Sequence, residues 1–145
     1  MAYHETWQDG VLLDRVWRED EYVGIGLQDT IATVKAQIYG HAGSILSNAV
    51  SQYSAAEMTS WERKEQEARS VLRLGNATES PSLAIEAAAA EISIDQLAQI
   101  VVAKANGYRN LAARVAGIRS KHIAVIESMT TVEAVTSYDW SAGWP

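Results

Sequence analysis

Ser93–Met129, SIDQLAQIVVAKANGYRNLAARVAGIRSKHIAVIESM, is the stretch whose reading decides the fold. It opens on Ser93-Ile-Asp-Gln96, a capping box: the serine oxygen can accept from the N–H of Gln96 while the glutamine reaches back to the serine N–H. Val101, Tyr108, Val115, His122 and Met129 then recur every seven residues, as do Leu97, Lys104, Leu111, Ile118 and Val125. These two rows are the paired seams of a heptad, with Lys104 the one charged exception, so the spacing predicts a long helix with a coiled-coil section.

On the N-terminal side, Pro81 after Ser80 suits the first turn of a short alanine-rich helix reaching about Glu91. Before it, Ser54-Ala-Ala-Glu57 is a second capping box, followed by Met58, Trp61, Glu65, Ala68 and Leu72 at steps of three or four, and Gly75 supplies a stop. Earlier still, Ile31, Val34, Ile38, His41, Ile45 and Ala49 share one face of a helix expected over Thr30–Tyr53, capped by Asp29 or Thr30. Gly40 and Gly43 weigh against its continuity. After Met129, a third box at Thr130-Thr-Val-Glu133 starts a last short helix to Ser137, and the sequence continues as YDWSAGWP.

Residues 1–28 read differently. YHETW and VLLDRVW are β-prone runs around Gln8-Asp9-Gly10, which predicts a β-hairpin, and REDEYVGIGLQDT reads as a joint. An isolated hairpin is marginal in water, so Trp7, Val11, Leu13, Val16 and Trp17 should need a further surface. The expected fold is mainly α: an N-terminal β-hairpin over 1–28, then a helical bundle or helical hairpin with a coiled-coil section over 29–145.

Composition narrows the function classes. The 145 residues fit one ordinary domain, and the net charge of −6 opposes binding to a phosphate backbone, so no nucleic-acid partner is expected. With no cysteine, disulfides, thiolate nucleophiles and cysteine metal sites are all excluded. Met1–Gly10 is polar and acidic where a secretory signal would be basic and then apolar, and no apolar run reaches the ~20 residues that cross a bilayer. A cytosolic origin without a membrane partner is expected.

Candidate chemistry is sparse. No histidine has a second one at i+4, Gly24-Ile-Gly26 is too short for a nucleotide loop, and no serine sits in a nucleophile motif. The carboxylates of REDEYV and WERKEQEAR read as solvated surface, with Glu62 and Gln66 outward and Arg63, Lys64, Arg69 and Arg73 in intrahelical pairs. Asn76-Ala-Thr78 matches a glycosylation sequon to which no role is given. No catalytic residue, cofactor or metal is expected; His41 and His122 read as packed seam residues. The aromatics say more: Trp140 and Trp144 either staple their tail to the body or anchor an interface.

Three stretches carry a family resemblance. ETWQDGVLLDRVW resembles the short N-terminal openings of small phage tail-region proteins. YSAAEMTSWERKEQEARSVL, then ESPSL, then YRNLAARVAGIRSKHIAVIESMTTVEAVTSYDW, resemble the helical C-terminal region of phage tail-fibre and tail-fibre-assembly proteins. The resemblance spans most of the chain but lacks the long glycine-rich or β-repetitive shaft of a complete fibre. It implies a non-catalytic tail protein in the virion, or in the host cytoplasm during assembly, that packs against a fibre or baseplate protein and self-associates. The interface candidates are Trp7, Val11, Leu13, Trp17, Leu97, Val101, Tyr108, Leu111, Val115, Ile118, His122, Val125, Trp140 and Trp144. The alternative is a soluble regulatory or enzymatic helical domain whose heptad is only its own core.

Overall fold

The computed structural model describes the backbone of residues 2–8, 11–18, 20–75 and 80–145, with side chains from Gly26 onward within those ranges. The chain is mainly helical. Its backbone is extended at β1 (Ala2–Gln8) and β2 (Val11–Arg18). The expected turn at Asp9-Gly10 and the side chains of Trp7, Val11, Leu13 and Trp17 lie outside the described residues.

Helix α1 (Asp20–Ala49) starts ten residues before the expected cap and runs without a break through Gly40 and Gly43. The expected joint is therefore helical from Asp20: a formed helix adds one hydrogen bond per residue, and this outweighs the roughly 1 kcal/mol that each glycine forfeits. Ile31, Val34 and Ile38 of the expected face are buried, joined by Ala42.

The helix expected from Ser54 to Leu74 is instead two: α2 (Ala55–Met58) and α3 (Trp61–Leu74). Ser54 Oγ does accept from Glu57 N–H at 3.1 Å. The break follows from the next two hydroxyls, as Thr59 donates to the Ala56 carbonyl and Ser60 to the Glu57 carbonyl, competing with the backbone ladder. Ala68 of the expected face is buried, but Val71 is turned inward in place of Leu72, which is exposed. Gly75 caps α3 in the left-handed conformation at φ 70°.

Helix α4 (Pro81–Ala89) has no side-chain cap of its own. Ser80 Oγ donates to the Glu67 carbonyl at 3.1 Å, and Leu83 N–H donates to the Glu67 carboxylate at 2.9 Å. A buried glutamate of α3 thus does the work of the missing cap, with negative charge at the positive end of the helix. At the other end, Glu91 N–H bonds to Ala88 O and Ile92 N–H to Ala87 O, with Glu91 left-handed at φ 56°. This is a Schellman closure with a glutamate where glycine is usual.

Helix α5 (Ile94–Glu127) opens on the complete Ser93/Gln96 box, both bonds at 3.1 Å. Its buried residues are Leu97, Ala98, Val115, His122 and Ile126. Leu97 and Ile126 are both buried; they lie eight turns apart at about 3.6 residues per turn. Leu97, Val115 and His122 are expected seam positions, while at the end of the helix Ile126 is buried where a 3.5-residue heptad would have reached Val125. Helix α6 (Val132–Ser137) is capped by Thr131, whose Oγ1 accepts from Ala134 N–H at 3.1 Å, one residue beyond the expected Thr130 box.

Two compact units share α1 and α5. Among the described residues, unit 1 takes α1 through Ala42 and residues 117–144, and its core is Ile31, Val34, Ile38, Ile126 and Val135, with Trp140 and Trp144 packed on it. Unit 2 takes residues 43–116, and its core is Ala68, Val71, Leu83, Ala87, Leu97 and Ala98.

Candidate functional site

Unit 2 carries an open groove of about 750 Å³. One wall comes from the end of α1 and from α2 and α3, where Tyr53 and Trp61 meet edge to face with ring centroids 5.0 Å apart. The other is α5, which contributes Leu97, Ile100, Val101, Lys104, Tyr108 and Leu111. Ile100 and Tyr108 are 45 % and 38 % exposed, so apolar area remains in contact with water along this wall.

Ionic contacts stiffen the surroundings. Glu65 accepts from Arg69 Nε at 2.8 Å and from both ends of the Arg109 guanidinium, at 2.5 and 2.6 Å. The hydrogen bonds from Arg109, then from Arg69, hold its carboxyl below the ordinary value of 4.5. Lys64 pairs with Glu86 at 2.8 Å. The expectation of intrahelical pairing therefore holds for Arg63–Glu67 and Glu65–Arg69, while Lys64 and Glu65 also tie α3 to α4 and α5.

In unit 1, His41 and His122 pack against aromatic side chains. His122 is 5 % exposed; its Nδ1 lies 2.8 Å from Tyr138 OH and its Nε2 3.1 Å from the Ala142 carbonyl. A carbonyl can only accept, so Nε2 carries the proton, and in the neutral ring Nδ1 accepts from the tyrosine hydroxyl. The Trp144 ring stacks on His122 at 5.6 Å and meets His41 edge-on at 5.1 Å, and its indole N–H donates to the Trp140 carbonyl at 2.8 Å. A shallower cleft of about 370 Å³, with a mixed polar and apolar lining, lies beside this cluster, between the Asp29–Gln37 segment of α1 and Trp140.

The interface candidates thus separate. Leu97, Val101, Tyr108 and Leu111 come together along the groove; Val115 and His122 are buried inside the chain; Ile118 and Val125 are half-buried. Trp140 and Trp144 serve as staples on the unit 1 core. Sequence reasoning missed Ile100 and Tyr53 as groove residues. The available signal was Trp61, a large apolar ring opening an otherwise charged helix.

Among the described residues no group of three or more potential ligands is placed to hold a metal ion, and no helix is long and apolar enough to cross a membrane. No protein-family model, curated protein or solved structure matches the chain.

Proposed function

We propose that this chain is a non-catalytic bacteriophage tail protein, a virion component or fibre-assembly factor associated with the fibre or baseplate, which acts by packing against other protein chains. The observation that supports it is the groove of unit 2, where aromatic and aliphatic side chains stay partly exposed beside a rigid ionic frame. The hairpin of residues 3–17, with Trp7, Val11, Leu13 and Trp17, would be a second contact surface, adding strands to a partner's sheet edge. Self-association would use the exposed part of α5, Ile100 and Tyr108, rather than the buried Val115.

One observation favours the rival, a soluble regulatory or enzymatic domain. The groove is concave and its lining includes Glu57, Glu62, Glu65 and Glu86. Against a catalytic pair, Glu65 is held ionised by Arg109 and Arg69, so it is no ready proton donor, and Glu86 is bound to Lys64.

Mass spectrometry of purified virions, with light scattering on the isolated protein, decides among these. A fixed copy number in the particle is expected for a structural component, and recovery only from infected lysate in complex with a fibre for an assembly factor. A monomer found in neither would overturn the tail assignment.

A further inference from the structure

The groove of unit 2 is long as well as apolar. Its α5 wall runs from Leu97 to Leu111 through steps of three or four residues, a length of about 21 Å at 1.5 Å per residue. That repeat matches the row of side chains on one face of a second helix better than it matches a small molecule.

Charge on the two walls sets the character of that helix. Glu65 and Glu86 already hold ion pairs, whereas Glu57 and Glu62 are exposed and hold no salt bridge among the described residues. On the opposite wall Lys104, also exposed, likewise holds no salt bridge among the described residues, and it interrupts an otherwise apolar row. A lone charge in an apolar seam fixes the register of whatever packs on it.

We infer that the groove binds an amphipathic helix of a partner protein, with apolar residues at steps of three and four, basic residues along the flank facing Glu57 and Glu62, and one acidic residue opposite Lys104. The inference rests on the proposal that the chain works by packing against other proteins, and it names the kind of partner.

The test uses the full chain and two synthetic helical peptides of about 14 residues, enough to fill the groove. Both carry the same leucine row with one aspartate, one flanked by lysines and the other by glutamates. Calorimetric titration should show binding of the lysine-flanked peptide and weaker binding of the other. Glu57→Lys with Glu62→Lys should weaken the first peptide about tenfold and strengthen the second. Both sites are exposed, and circular dichroism checks that the double variant stays folded.

Equal binding of the two peptides, or indifference to the charge reversal, would overturn the assignment. So would uptake of a small apolar dye with no peptide binding, which would make the groove a small-molecule pocket. A virion component that binds neither peptide loses the groove assignment and keeps the tail one; charge-dependent binding by a protein found in neither particle nor fibre complex does the reverse.

Discussion

Glu67 shows how one side chain can stand in for a missing local signal. Its carboxylate caps α4 from a different helix while Arg63 Nε approaches it at 3.3 Å. Glu67→Ala leaves Leu83 N–H buried without a partner and should lower the free energy of unfolding in urea by about 1–3 kcal/mol. Glu67→Gln keeps an acceptor and should lose less. Glu91 gives the opposite case, because a glutamate holds the left-handed position that closes α4. Glu91→Gly should stabilise the protein by about 1 kcal/mol, read as a higher urea midpoint at unchanged slope. No spacing rule in the sequence reveals either role: Glu67 belongs to a run, ERKEQEAR, in which its i,i+4 pairing with Arg63 already accounts for it. His41 and His122 were legible as packed residues, but their partners on the YDWSAGWP tail were not, since contacts between distant segments leave no local period.

Among the elements, those whose ends are written in side-chain chemistry were readable. Ser54 and Ser93 cap α2 and α5, Gly75 stops α3 and Pro81 opens α4 at the expected places. Elements whose limits depend on competition were not. The hydroxyls of Thr59 and Ser60 split a helix that apolar spacing runs together, and α1 extends ten residues past a plausible cap. The heptad of α5 puts Leu97, Val115 and His122 on buried positions, but 3.6 residues per turn drifts by about 20° per heptad, so at the end of the helix Ile126 is buried rather than Val125. Glycine at 40 and 43 in α1 has open space where a Cβ would stand. Gly40→Ala and Gly43→Ala should therefore each stabilise the isolated protein by roughly 0.5–1 kcal/mol, seen as additive rises in melting temperature. A loss instead would mean that the helix face at that position is not free in solution.

For the molecule as a whole, paired carboxylates set the acid limit. Glu65 is held down by Arg109 and Arg69, and Asp139 by its hydrogen bonds from Ser141. Each titrates lower folded than unfolded, so its stabilisation is complete above the ordinary values of 4.5 and 3.8 and disappears as pH falls through the folded ones. Lys35, raised from 10.5 by its hydrogen bond with Glu127, contributes below that value and loses its contribution in strong alkali. Unfolding free energy measured against pH should show these losses at the two extremes, and Glu65→Gln should flatten the acid limb. The division into two units bears on synthesis. Apart from Pro145, unit 2 is drawn from one continuous run, residues 43–116, and can close while translation is still under way. Unit 1 joins the early part of α1 to a tail in which Trp144 lies against both His41 and His122. Ile31, Val34 and Ile38 of the first long helix must therefore wait for Ile126 and Val135, their partners in the same core. A nascent chain stalled before that point would display Ile31, Val34 and Ile38 to whatever chaperone or neighbouring chain is nearest.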